Sequence, residues 1–143
     1  MAHDRGIVRR RAERGAAAAE FALVAGLLAL LVFGLFDLTV LLNRQIVLVQ
    51  AAREGVRRAM VEGGDTPEVR EVIARQLRAG GIDPAAVAVA IEPRRPAYGS
   101  PLTVRLQLTV RPVTPVLRRF LQSGVPLQVE MDGRNERIRP PGT

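Results

Sequence analysis

Residues 21–42 constrain this chain more than any other part of it. Fifteen of these 22 residues are leucine, valine or phenylalanine, and Asp37 is the one charged residue among them. On the membrane-insertion scale those fifteen side chains favour the bilayer by about 4.5 to 9 kcal/mol, whereas one central aspartate costs roughly 2.5 to 3.5 kcal/mol. About 20 apolar residues are enough to cross the hydrocarbon core. The stretch therefore predicts a transmembrane helix.

A buried helix in a globular domain is the other structure that such a stretch can form. A chain of 143 residues is too short to surround a helix that is apolar on every face. We therefore expect one membrane span and one small domain.

A basic leader, residues 1–15, precedes the apolar stretch, and we expect it to be disordered. It holds five arginines and ends at Gly15, after which come four alanines, Glu20 and the apolar run. A secretory signal peptide has a shorter apolar region, of about 7–15 residues, and its cleavage site follows that region. Here the small residue comes first, so a cut between Gly15 and Ala16 removes the leader and leaves the membrane helix in place.

The helix should continue beyond the bilayer and end before the glycine pair at 63–64, which gives a helical segment over 16–62. A helix of that size is about 70 Å long, far more than a bilayer needs. Its outer part is therefore expected to pack partly on the small domain of the same chain. The apolar residues that recur there at helical spacing are Val49, Ala52, Val56, Ala59 and Met60.

A second helix is predicted over 67–79. Asp65 or Thr66 can cap it, Pro67 suits its first turn, and Gly80 can close it. Two acid–arginine pairs at i,i+4 spacing are expected on the helix surfaces. They are Glu54 with Arg58 and Glu71 with Arg75.

From Pro84 onward the apolar period changes to two. Alternating residues predict half-buried strands over 87–91, 102–110 and 127–131, with a short helix started by Thr114 and Pro115. The fold class is thus α+β: a long transmembrane helix, then an antiparallel sheet of three or four strands with two short helices over 65–136, and a flexible tail over 137–143. Five residues are expected to be deeply buried: Ile73, Leu77, Leu106, Leu108 and Val129.

Composition excludes several functional classes. The formal charge of +7 suggests nucleic acid or anionic lipid, but the leader supplies about half of the excess. There is no cysteine, and the single histidine, His3, lies in the leader, so we expect no metal site, no nucleophilic catalysis and no cofactor. Neither nucleic acid nor a small-molecule substrate is expected as a partner, and we do not expect an enzyme.

Several motifs in order resemble the TadE family of tight-adherence pseudopilins, which are type IV pilin-like proteins. They are RRRAERGAAAAEFALV, Asp37 late in the apolar stretch, QAAREGVRRA, LTVRPVTPVLRRF and the closing GRNER. The resemblance implies a bacterial inner-membrane protein with a cytoplasmic N-terminus, an extracytoplasmic domain and a possible place in the extracellular pilus. The arginines of the leader favour the same orientation by the positive-inside rule, although only mildly, because Arg44, Arg53, Arg57 and Arg58 follow the span.

The resemblance also implies a function: a minor pilin-like component that a prepilin peptidase cleaves between Gly15 and Ala16 and that packs against other pilin or pseudopilin subunits. Glu20, Phe21 and Asp37 are the candidate residues for helix–helix assembly. A carboxylate in the hydrocarbon region needs a cation, and the amine created at Ala16 is the nearest candidate for Glu20. The alternative for Glu20 and for Asp37 is a carboxylate at a membrane edge with no partner.

A different function remains open at this point. An uncleaved, single-span accessory or binding subunit, whose outer domain docks on another protein, has the same pattern of one apolar helix and one small domain.

Overall fold

The computed structural model describes residues 3–95 and 97–134. Helix α1 spans His3–Glu62 and α2 spans Pro67–Ala79, and a short 3-10 turn at Pro84–Ala86 leads into strand β1, Val87–Glu92. Strand β2 spans Pro101–Val110, α3 spans Pro115–Phe120 and β3 spans Val125–Arg134. The three strands form one antiparallel sheet in the order β1-β2-β3. The α+β fold class is confirmed. The tail predicted over 137–143, and residues 135–136 of the predicted domain, lie outside the described residues.

The chain divides into two compact units, Met1–Leu38 and Thr39–Thr143, and the division falls inside α1. In the first unit the apolar stretch is exposed along its length. The segment Gly15–Glu62 contains a window of mean hydropathy 2.5, none of it buried, and is long and apolar enough to cross a membrane. This fits a single-pass membrane protein.

The prediction of a disordered leader was wrong, because α1 begins at His3 and not at Ala16. The leader has no proline, and five of its 15 residues are arginine, which is a good helix former. Gly15 continues the helix without breaking it.

The core of the second unit lies between the sheet and two helices. Helix α1 contributes Val47, Leu48, Ala51, Ala52, Val56 and Ala59, and α2 contributes Val69, Ile73 and Leu77. The residues expected to be deeply buried, Ile73, Leu77, Leu106, Leu108 and Val129, are all buried. The predicted packing of the outer part of the long helix on the chain's own domain is thereby confirmed.

Strand β2 lies at the centre of the sheet and sets its two faces. Leu102, Val104, Leu106 and Leu108 point into the core, and the residues between them point outward. Val104 pairs with Ile91 on one side and with Met131 on the other, so the apolar residues of all three strands share one face. Arg105 and Glu130 pair across the outer face at 3.0 Å.

Helix α2 begins at the predicted residue. Thr66, and not Asp65, is its cap: the Val69 N–H donates to the Thr66 hydroxyl oxygen at 3.3 Å. Asp65 instead accepts two hydrogen bonds from the Arg70 guanidinium, at 2.7 and 2.8 Å, and this pairing raises the pKa of Arg70.

The predictions of the Glu54–Arg58 and Glu71–Arg75 ion pairs were both wrong, because these side chains pair with other residues. Glu54 pairs with Arg57, and Arg58 pairs with Glu62. Glu71 pairs with Arg78, two turns away, at 3.1 Å. Residues three, four and seven apart lie on the same side of a helix, so an exposed carboxylate has several long arginine side chains within reach.

The end of α2 makes a close approach to α1. A Cβ at Gly80 would lie 2.3 Å from Val47 Cγ1 and 3.0 Å from Val47 Cβ. The Arg44 guanidinium donates to the Gly81 carbonyl in the same place. Gly81 has a positive φ of 70°, which turns the chain away from the helix.

Candidate functional site

The predicted cleavage site lies inside α1. Gly15 and Ala16 are both exposed, and a Cβ built at Gly15 has nothing within 4 Å of it. The peptide bond between them is therefore accessible from the side-chain direction, and it is held in helical conformation. A peptidase that binds extended chain has to unwind this turn before it can cut.

Glu20 and Phe21 follow the cleavage site by about one helical turn. Both are exposed, and 75% of the Phe21 surface is accessible. The sequence from 16 to 36 contains no basic side chain, so a cation for Glu20 has to come from a chain terminus or from another molecule. The structure places Glu20 where a neighbouring helix can reach it.

Asp37 is half-buried and already has an interaction within the chain. Seventeen residues of α-helix separate it from Glu20, which corresponds to about 26 Å and 4.7 turns. The two carboxylates therefore share neither a level nor a face of α1, and the structure does not bring them together into one site.

The surface around these residues is continuous and apolar. Its large side chains are between 43% and 75% exposed over residues 21–38, a range typical of the lipid-facing or helix-facing surface of a membrane segment. Gly26 and Gly34 lie on α1 with nothing within 4 Å of an added Cβ, so each leaves room for a close neighbour.

The described part of the second unit contains a carboxylate with a shifted pKa but no candidate metal site. Among the described residues, no group of three or more histidine, cysteine, aspartate and glutamate side chains is placed to hold a metal ion. The acid in the first turn of α2, Glu68, has a lowered pKa because its own backbone N–H donates to it and the Thr66 hydroxyl adds a second hydrogen bond. These contacts stabilise a helix end.

One surface was missed by the sequence reasoning, which treated the arginines after residue 42 as evenly mixed with acids. The connection between β2 and β3, residues 111–124, exposes Val113 and Leu121 and carries Arg111, Arg118 and Arg119. The signal was available in the sequence, since no acidic residue occurs between Glu92 and Glu130.

The comparison with known proteins gives a match for the N-terminal helix alone, over residues 15–57. No curated protein and no solved structure matches the chain. The predicted LTVRPVTPVLRRF and GRNER motifs lie beyond the segment that a family model covers, and residues 135–137 of the latter lie outside the described residues. The matched segment starts at Gly15, runs through the apolar stretch and ends inside the core-forming part of α1. Over residues 15–57 the chain matches the family described as TadE-like protein, which confirms the predicted resemblance in that segment.

Proposed function

We propose that this chain is a minor pilin-like (pseudopilin) component of a tight-adherence pilus assembly system. In this proposal a prepilin peptidase cleaves it between Gly15 and Ala16, and its helix packs against other pilin or pseudopilin subunits in the pilus or its assembly machinery. The observation that supports it most is the start of the family match, which falls on Gly15 and leaves the basic leader outside. The leader stays in the cytoplasm of a bacterium, and the sheet domain lies outside the inner membrane.

The mature N-terminus tests the cleavage step. Mass spectrometry of the protein extracted from host membranes should find a chain that begins at Ala16. Gly15→Leu should block processing, because a peptidase cleft shaped for a small residue would then have to accommodate a bulky side chain. The variant does not disturb the protein itself, since nothing lies within 4 Å of an added Cβ.

Gly26→Leu is the matched control for the cleavage test. Gly26 is also a helical glycine with nothing near an added Cβ, but it lies eleven residues after the cut. Its variant should be processed normally. A mature chain that still carries the leader, in the presence of an active host peptidase, contradicts the proposal.

Glu20 is proposed to set the register between subunits. A carboxylate drawn into hydrocarbon costs a few kcal/mol unless it is paired. The amine at Ala16 of its own chain lies about one turn away and off-axis, whereas the amine of a staggered neighbour can meet it directly. Phe21 and Asp37 are proposed to contact neighbouring helices from other faces of α1.

The assembly test uses Glu20→Gln as the only copy in the host. The variant should be inserted and cleaved normally, and it should be excluded from assembled pili in a shear-fraction assay. Glu71→Gln serves as control, because it removes an exposed carboxylate from the sheet domain and only a weak surface ion pair with Arg78. Normal incorporation of the Glu20→Gln variant into pili would contradict this role, and Glu20 would then be a carboxylate at the membrane edge without a function in assembly.

A second function is favoured by the continuity of α1 through Gly15. An uncleaved, membrane-anchored accessory subunit needs no unwinding of that turn, and its sheet domain docks on another protein. The same mass-spectrometric measurement separates the two functions, since this one keeps the leader.

A further inference from the structure

The direction of β2 along α1 indicates at which end of the second unit the β2–β3 connection, residues 111–124, lies. At one end of the sheet, Gly133 lies against Val56 and Met60 of α1, at the level where Gly133 pairs with Leu102. A Cβ at Gly55 would lie 3.7 Å from Val104 Cγ1, so β2 runs back along α1 as its numbering rises.

The opposite end of the sheet is therefore level with the start of this unit. Six strand residues, from Val104 to Val110, extend about 20 Å, which corresponds to about 13 residues of helix and leads from Gly55 to about Leu42. The close contact of Gly80 with Val47 and the hydrogen bond from Arg44 to Gly81 place the end of α2 at this same end. Strand β2, continued in this direction, brings residues 111–124 to the level of about Leu42, where the apolar stretch ends.

The chemistry of this end suits a bilayer surface. Val113 is 51% exposed and Leu121 is 43% exposed, and three arginines accompany them in a connection without an acidic residue. The far end of the unit, by contrast, mixes arginines with Glu62, Asp65 and Asp132. Apolar side chains beside arginines bind the interface of membranes that contain anionic lipids.

We propose that the connection 111–124 docks on the surface of the membrane that α1 crosses, with Val113 and Leu121 at the level of the lipid headgroups and Arg118 and Arg119 on anionic lipid phosphates. This inference rests on the membrane span in the proposed function, but it does not depend on cleavage or on pilus assembly. It fixes the sheet domain against the bilayer before any partner binds.

Tryptophan fluorescence can test the docking directly, because the chain has no tryptophan. Leu121→Trp and Val113→Trp each place a reporter in the connection. Tyr98→Trp is the matched control, since Tyr98 is 66% exposed in the β1–β2 loop at the far end of the unit. Phe36→Trp reports insertion of the span. Each full-length variant is reconstituted in vesicles of phosphatidylcholine with brominated acyl chains, with and without phosphatidylglycerol.

We expect strong quenching for Phe36→Trp in both kinds of vesicle. Leu121→Trp and Val113→Trp should be quenched several-fold more than Tyr98→Trp, and more with phosphatidylglycerol than without it. Raised salt should reduce the difference between the two lipid mixtures. Circular dichroism shows that each variant keeps the fold, and two reporter positions protect the test against one that misfolds.

A charge variant completes the test. Arg118→Gln combined with Arg119→Gln should lower the docked-to-undocked ratio roughly 30-fold on anionic vesicles, which corresponds to about 2 kcal/mol for two arginines near an anionic surface. Arg94→Gln combined with Arg95→Gln removes an adjacent pair at the far end and should change nothing.

Three results overturn the proposal. Quenching of Phe36→Trp without quenching in the connection means that 111–124 does not dock on lipid, and a protein partner then becomes the occupant to test. Quenching that ignores phosphatidylglycerol overturns the role of the arginines. If Phe36→Trp itself is not quenched, the span fails and the docking fails with it.

Discussion

Thr66 and Glu68 together stabilise the first turn of α2. The Thr66 hydroxyl oxygen accepts the Val69 N–H, and the Glu68 carboxylate accepts its own backbone N–H and a hydrogen bond from that hydroxyl. The negative charge near a helix N-terminus adds to the effect. The lowered pKa of Glu68 means that its stabilisation is present above the unfolded pKa, about 4.3, and is lost as the pH falls through the lower folded pKa.

Thr66→Ala should reduce the free energy of unfolding by about 1 kcal/mol, because one N-terminal N–H loses its partner. The pKa of Glu68 should rise toward its ordinary value. Chemical denaturation followed by circular dichroism, and carboxyl ¹³C titration of Glu68, measure the two effects in micelles. Thr66→Ser keeps the hydroxyl and should show neither effect. An unchanged Glu68 titration in Thr66→Ala would rule out this arrangement.

At the scale of elements, the two glycines after α2 are needed for different reasons. Gly80 has a negative φ that alanine can adopt, but a Cβ there meets Val47. Gly81 has open space around an added Cβ, but its φ of 70° disfavours any other residue.

Gly80→Ala should destabilise the protein by about 1 to 3 kcal/mol through overpacking against Val47. Combining it with Val47→Ala should cost less than the sum of the two single changes, because the smaller side chain at residue 47 leaves room for the new Cβ at residue 80. Gly81→Ala should cost about 1 to 2 kcal/mol from backbone strain alone. Thermal unfolding measures all the variants. Additive behaviour of Gly80→Ala and Val47→Ala would refute the close approach.

Elements that depend on local pattern were predictable, and α2 and the three strands show why. Proline, a cap residue and a glycine pair mark both ends of α2, and period-two alternation marks the strands because one face of the sheet is buried. The start of α1 was missed, since arginine-rich sequence was interpreted as a solvated leader although its residues favour helix. Ion-pair partners were also missed, because they depend on rotamers that sequence spacing does not specify.

For the whole molecule, the division into anchor and domain does not coincide with the end of the long helix. Six of the buried core residues belong to α1, from Val47 to Ala59, and two of them are the adjacent alanines Ala51 and Ala52 with no exposed surface. A sheet domain over 65–136 alone lacks one side of its core.

A fragment of residues 39–143 should therefore fold, and a fragment of residues 63–143 should not. The shorter one leaves Ile73 and Val104 without the α1 segment against which they pack, and a core this small has little stability to lose. Amide proton dispersion in nuclear magnetic resonance spectra distinguishes the two states. A folded spectrum from 63–143 would show that α1 is dispensable for the sheet.

The candidate sites in the anchor stay predictions, and the sequence indicates them because Gly15 and Glu20 interrupt an otherwise apolar or alanine-rich stretch. The basic connection 111–124 needed the fold, because the level proposed for it is inferred from the direction of β2 along α1 and from no local motif.

The entry of α1 into the core also determines how the domain bears mechanical load. A pull applied at Thr39 along the helix reaches the side chains from Val47 to Ala59 directly, and they must slide past α2 and the sheet together. Interlocked side chains loaded in parallel resist sliding better than strands peeled apart one pair at a time. Forced unfolding is governed by the rate of crossing that barrier and not by equilibrium stability. A subunit held by its helix in a fibre under tension would therefore keep its sheet domain folded.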